Sequence, residues 1–341
     1  MPRQLNKKGS ILILALWTLT LLTVFSVHIG LTVRQRATLL SRVENRTQAR
    51  WLAEAGVKKA IAALRHDIQR NKGVYTPYGK LYRHNNRAMF ADIDMGVGKS
   101  AVMYIFHDGL KPDPEIRYGF VDEESKININ TVQQDVLVRL MQIVVTSDEE
   151  KAKTLAEAII DWREIGESQL TGFYSDDFYI NLQDSYESKD AHFEILDELL
   201  LVRGFNQDIL DQLKPFITVF GDGLININTA NRHVLQALGI SDVLVEKILL
   251  TRRGVDVEES TADDFIYQRA YDLASDILRF SDLDKNEIQQ IDALNALGLI
   301  KTNSVYYSIS GKAQLNNSQD ALEVVCVYNA QESWVEYWRE K

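Results

Sequence analysis

An uncharged stretch from Gly9 to Val33 constrains this chain more than any other feature, because it passes without a break into a second apolar pattern. Its 25 residues would span about 37 Å as a helix, enough to cross the hydrocarbon of a bilayer. Arg3, Lys7 and Lys8 precede it, and the exit reads Ile29-Gly30-Leu31-Thr32-Val33-Arg34. A cleaved secretory signal has a shorter apolar region and ends at small residues, so the segment reads as a retained anchor. Arg34, Arg36 and Arg42 on the exit side balance the three leading cations, so charge alone does not orient it. Ala49, Leu52, Ala53, Gly56, Val57, Ala60, Ile61 and Leu64 then follow helical spacing, opposite Arg50, Glu54, Lys58, Lys59 and Arg65. The spacing predicts one helix from about Ser10 to Ile68, leaving the membrane and lying on a body. Its small residues at 49, 53, 56 and 60 predict a close approach to a sheet or another helix.

Downstream the pattern changes to period two. Met89 to Met95 and Ser100 to Phe106 flank Gly96-Val97-Gly98 and read as a hairpin, and Ile116 to Val121 reads as a further strand. Val305 to Leu315 and Ala321 to Tyr328 flank Asn316-Asn317-Ser318 as a second hairpin. The interval between about Asp122 and Asn303 is almost wholly helical in pattern. The economical fold is α+β: a long N-terminal helix on a small antiparallel sheet, with a large all-α domain inserted before the sheet is completed. The expected segments are a leader over 1–9, the anchor over 10–33, the first part of the α/β body over 34–121, the insert over 122–303 and the closing hairpin over 304–341.

The insert contains a repeat. Lys126-Ile127-Asn128-Ile129-Asn130-Thr131 recurs as Leu224-Ile225-Asn226-Ile227-Asn228-Thr229, each followed by an amphipathic pattern. Each copy predicts a short extended segment, an Asn or Thr N-cap and a helix. The second copy continues through Leu238-Gly239-Ile240-Ser241 to Arg252, similar to a helix-hairpin-helix or SAM-like module. Asp242 beside that hairpin is unsuited to a DNA backbone.

Composition narrows the function. The 341 residues carry a net charge of −10, which repels phosphate backbones, so nucleic acid is not an expected partner. The single Cys326 excludes an internal disulfide framework. Gly98-Lys99-Ser100 lacks the first glycine of a phosphate loop, since Ile93 stands there. Asp282, Asp284 and Asn286 open like a calcium-binding EF loop, but Glu287 and Ala293 stand where the turn glycine and the closing acid belong. None of the six histidines lies in H-E-x-x-H and there is no G-x-S-x-G, so the expectation is a protein without catalytic activity. One acidic cluster stands out: residues 161 to 198 hold 11 Asp or Glu against Arg163 and Lys189, a local charge of −9. Asp161, Glu164 and Glu167 share a helix end, and Asp176 and Asp177 lie in an aromatic loop. Carboxylates from separate segments suit a hard, oxygen-seeking cation such as calcium; the alternative is a solvated acidic loop.

The basic leader ending in Gly9, the apolar helix with Trp17, the run Ala49 to Val57, the Asn-Thr repeat, Asp161-Trp162, the run Leu199 to Gly204 and the C-terminal hairpin together resemble protein K of the general (type II) secretion pathway, a minor pseudopilin with a type IV pilin-like fold. The resemblance covers nearly the whole chain in order. It implies that a prepilin peptidase cuts after Gly9 and methylates Ser10. It also implies a single-pass anchor in the bacterial inner membrane, a periplasmic body, and a place at the tip of a pseudopilus with minor pseudopilins I and J. Calcium at the acidic loop is implied as well, with Asp176 and Asp177 carried over, Asp161 and Glu167 as further ligands, and Ser175 departing from the pattern. The usual glutamate at the fifth mature position is replaced by Leu14, which marks a tip subunit that needs no neighbouring amine for a buried carboxylate. The alternatives are a minor pilin of a type IV pilus and a membrane-anchored DNA-uptake component using the helix-hairpin-helix-like repeat.

Overall fold

The computed structural model describes residues 8–71, 84–107, 114–164, 176–257, 259, 261, 263–316 and 321–341. Helix α1 runs from Lys8 to Asn71, 64 residues and about 96 Å, as an unbroken apolar-to-amphipathic pattern without Pro requires. Its membrane-length window is 0% buried within the chain. From Ala49 onward the face carrying Leu52, Ala53, Val57, Ala60 and Leu64 is buried. The first half is therefore a bare stem and the second half a wall of the body.

The strand expected over 89–95 is mostly absent. Asn86 accepts a hydrogen bond from the Met89 amide and caps a helical turn, α2 (Arg87–Phe90), which points Phe90 into the core edge-on to Phe120 at 5.3 Å. Only Ile93–Asp94 (β1) is extended, and it pairs with Gly98–Val102 (β2) across the 96–97 turn. The strand expected to continue to Phe106 leaves the sheet at Met103. Tyr104–Phe106 (β3) pairs instead with Glu115–Arg117 (β4), and Val121–Asp122 (β5) returns to the main sheet.

Two structural copies then follow. The first runs through Ile127–Asn128 (β6), Gln134–Val144 (α3), Glu149–Arg163 (α4), Asp176–Ile180 (α5), a 3-10 turn over Leu196–Leu201, Gln207–Leu213 (α6) and Ile217–Thr218 (β7). The second runs through Ile225–Asn226 (β8), Arg232–Ala237 (α7), Asp242–Arg252 (α8), a 3-10 turn over Ala270–Asp272, Leu273–Ile277 (α9), Lys285–Ala296 (α10) and Ile300–Lys301 (β9). Each closes on a parallel bridge of two residues, β6 on β7 and β8 on β9, with Ile127 opposite Ile217 and Ile225 opposite Ile300. The region is thus not purely helical. Strands this short carry no periodicity, which is why the helical pattern hides them.

Tyr306–Leu315 (β10), Ala321–Asn329 (β11) and Trp334–Glu340 (β12) complete the sheet, in the order β1-β2-β10-β11-β12, with β5 also on β10. The expected closing hairpin is a three-stranded meander. Strand β12 lies at the edge with six of its seven residues exposed, so neither face is apolar and it has no alternation to read. Strands β10 and β11 alternate strictly until Val327, and Ile309, Ala313, Val324, Cys326 and Tyr328 pack under α1. Two glycines let the helix settle there. A Cβ at Gly311 would lie 2.6 Å from the Ala53 carbonyl oxygen, and one at Gly56 would lie 2.3 Å from Ser100 Oγ. Buried apolar residues fall into two clusters, one beneath α1 and one within the two copies.

Candidate assembly surface

The stem presents Ile11 to Val43 to its surroundings, with Leu14 66% exposed and Trp17 68% exposed. Polar side chains along it are satisfied within the helix. The hydroxyls of Thr18, Thr20, Thr23 and Thr32 donate to the carbonyls of Ala15, Trp17, Thr20 and His28 at 2.8–2.9 Å. Gly9 and Ser10 lie in the first turns of α1. Over Ile11 to Val33 the surface left to a partner or a lipid is therefore apolar, as an intramembrane helix requires, and the cations Arg34, Arg36 and Arg42 begin beyond it.

The second feature is the seam between sheet and copies, built from Asp122, Glu123 and Glu124. All three are buried. Asp122 closes β5 opposite Tyr307 and accepts hydrogen bonds from Thr229 Oγ1 (2.5 Å), Ser304 Oγ (2.7 Å) and Asn226 Nδ2 (2.9 Å). Burial pushes its carboxyl up to about 6, and those three donors hold it from rising further. Glu123 accepts from Thr218 and pairs with Lys126 at 2.7 Å, and Glu124 pairs with Lys301 at 2.6 Å. On the far side Glu259 bridges Arg117 of β4 at 2.9 Å and Arg252 of α8 at 3.3 Å. Thr218, Thr229, Asn226 and Lys301 thereby tie the outgoing strand to the copies, and Glu259 ties Arg117 of the sheet unit to α8.

The repeated asparagines do not cap helices as the sequence predicts. Helix α3 begins after Gln133 with no side-chain bond, and α7 is capped by Asn231 instead. Asn128, Asn226 and Asn228 are buried and Asn130 is half-buried, and they hold the copies closed. Asn130 brackets Phe193, donating to its carbonyl and accepting from its amide, and Asn228 does the same to Tyr267. Arg163 at the end of α4 donates to the carbonyls of Ile129 and Val132, and Arg252 donates to those of Ile227 and Ala230. At the hairpin, Gly239 has φ +87°, its amide donates to Gln236, and the Ser241 amide donates to Gln290. The amides that would grip a phosphate in a DNA-binding hairpin are directed inward.

At the acidic loop, Trp162 meets Tyr179 edge-on at 5.4 Å and Phe193 in a stack at 6.5 Å. That contact holds the end of α4, which carries Asp161, beside α5, which begins at Asp176 and Asp177. Glu167 lies outside the described residues. Among the described residues no three His, Cys, Asp or Glu side chains are grouped to hold a metal. By chemistry the set Asp161, Glu167, Asp176 and Asp177 fits calcium, being all carboxylate oxygen.

The family model for type II secretion system protein K matches residues 120–222, the interval from β5 through the whole first copy. A chain in the crystal structure of the GspK-GspI-GspJ complex from the enterotoxigenic Escherichia coli type 2 secretion system superposes with a TM-score of 0.61, covering 88% of this chain and 98% of that one at 16% identity. This chain is similar to protein K. Curated protein sequences gave no match. For this protein-K-like chain the structural likeness is one of fold, and the family match falls on the seam and the first repeat. Sequence reasoning passed over Asp122, Glu123 and Glu124. The signal available was three successive acids followed by Lys126 immediately before the first Ile-Asn-Ile-Asn run.

Proposed function

We propose that this chain is a structural minor pseudopilin of a type II secretion system, standing at the tip of its pseudopilus and helping to start assembly and protein export across the outer membrane. A prepilin peptidase cuts after Gly9, Ser10 becomes the methylated N-terminus, the stem sits in the inner membrane, and the body projects into the periplasm. Minor pseudopilins I and J are the partners, joined through α1 and the sheet, with the other pseudopilins below. The observation that carries this reading is the bare stem of α1 joined to a sheet unit that also bears two added copies. A body of that size would collide with the next subunit in a helical stack unless it stood at the end. Leu14 supports the same position, because it brings no buried carboxylate that needs a neighbouring amine. N-terminal sequencing of membrane-extracted protein should begin at Ser10, and labelled copies should appear at one end of isolated filaments. Labels spaced along the filament would sink the tip reading. The inward amides at Gly239 and Ser241 give no support to a DNA-uptake role.

Asp161, Glu167, Asp176 and Asp177 are the residues that would hold calcium. The ion would supply a cross-link between the loop and the end of α4 by neutralising converging carboxylates. Calcium in hundredfold excess over its dissociation constant should then stabilise the chain by about 2.7 kcal/mol. Identical melting curves in calcium and in chelator would reduce the cluster to a solvated loop.

A further inference from the structure

Where α1 leaves the sheet, a cleft of about 370 Å³ opens between the stem and the end of the body. Its floor is Ala49, Leu315 and Leu322, and its rim carries the cations Arg42, Arg46 and Lys341. Arg42, Arg46, Ala49 and Ala53 follow i, i+4, i+7 and i+11 spacing, so the two arginines continue the face that packs on the sheet one turn further along. At their level the sheet has ended. Among the described residues neither arginine enters an ion pair, and no acidic side chain lines the cleft. Residues 34–50 hold five Arg against Glu44, a local charge of +4 on a chain whose total is −10.

Membrane phosphates do not reach these groups. If the hydrocarbon is crossed by 9–33, Arg42 stands about 13 Å and Arg46 about 20 Å beyond Val33, whereas the headgroup layer is only ~5–8 Å deep. Arg34 and Arg36 meet that layer, and the cleft lies above it. We propose that the cleft receives a carboxylate-bearing segment from the head of a different subunit packed against the stem, with an acidic side chain between Arg42 and Arg46 and an apolar neighbour on Leu315 and Leu322. This rests on the pseudopilin reading and adds to it the position and the chemistry of the contact. Two neighbouring arginines favour a carboxylate, and complementary charge fixes register as well as affinity.

The test uses the full-length chain co-expressed with minor pseudopilins I and J of the same organism, extracted in mild detergent and recovered through a tag on this chain. Arg42→Glu/Arg46→Glu should lower recovery of at least one partner about tenfold or more, since close interfacial charge pairs couple by ~1.5 kcal/mol upward. Arg42→Lys/Arg46→Lys keeps the charge but not the guanidinium fork, so it should lower recovery less than the reversed pair, and ~0.5 M salt should weaken the unmodified complex. Both positions are exposed, so an unchanged melting curve verifies that the variants fold. If the unmodified chain recovers the partners and the reversed chain recovers them equally, the cleft proposal is overturned and the pseudopilin reading stands. If the unmodified chain recovers neither partner, both fall. Loss that appears only when phosphatidylglycerol is added back, or loss of a differently tagged copy of this same chain, would assign the cleft to lipid or to self-association and overturn the proposal.

Discussion

The two copies in the insert share a skeleton but spend the same residues differently. In both, an Asn-x-Asn run closes on a parallel bridge and an arginine at a helix end caps the carbonyls behind it. In the first copy the motif serves that copy alone. Asn128 donates to Phe220 and Gly221, and among the described residues Arg163 has the half-exposed Glu164 as its ion-pair partner, at 3.7 Å. In the second copy the equivalent groups face the seam. Asn226 donates to Asp122 and Ser304, and Arg252 shares Glu259 with Arg117 of the sheet unit. One motif therefore stabilises a unit in one place and docks it in the other, and the difference is set by what lies across from it.

Glu259 and Glu164 should separate the two copies most widely. Glu259→Gln leaves Arg117 and Arg252, both nearly buried, without their shared counter-charge. We expect a loss of ~3–5 kcal/mol. Glu164→Gln should stay within ~0.5 kcal/mol, as exposed pairs do. Chemical denaturation of the detergent-solubilised chain, followed by tryptophan fluorescence, reads both. Equal losses would show that the copies are not differently embedded.

The pH dependence of the seam should come next in size. The Asp122 carboxyl is pushed from an ordinary 3.8 up to about 6 by burial, so between those values the folded chain keeps a proton that the unfolded chain releases. Its stabilising contribution is complete below pH ~4 and is lost as pH rises through 6, a change of about 3 kcal/mol. Subtracting the stability profile of Asp122→Asn from that of the unmodified chain should isolate this slope. Among the described residues no acid is hydrogen-bonded to Asn128, the counterpart of Asn226 in the first copy.

Asn226→Ala and Asn128→Ala sharpen the same contrast at smaller amplitude. Each should cost ~1–3 kcal/mol through unsatisfied buried groups. Only Asn226→Ala removes a donor to Asp122, so only that variant should raise the apparent pKa of the seam; matching profiles would argue against the docking role. The last contrast belongs to the hairpin. Gly239 in the second copy has φ +87°, whereas Thr146-Ser147 serves the same turn in the first without glycine. Gly239→Ala should cost ~1–2 kcal/mol, read as a shift in the denaturation midpoint.

Much of this architecture is legible from residue order because it rests on long periodic patterns. The 3.6-residue spacing from Ala49 to Leu64 and the alternation of β10 and β11 are properties of neighbours in the chain. The helical turn at 87–90 was not legible, since a single Asn86 cap outweighs a weak strand pattern. Strand β12 was not legible because an exposed edge carries no apolar face. The candidate calcium residues rest on composition and resemblance, and the contact that sets the end of α4 beside α5, Trp162 on Tyr179, joins positions 17 residues apart whose intervening sequence has no periodicity.

Residue order by itself determined a membrane-length stem continuous with a body helix, a small sheet interrupted by an insert, and an internal repeat, because burial of one apolar face per element is a local requirement. Tertiary structure alone decided which copy turns its Asn-x-Asn motif toward the sheet. The partners of Asp122 come from 104 to 182 positions away, and whether a buried carboxylate is tolerated depends on donors that only the folded chain brings within hydrogen-bonding distance.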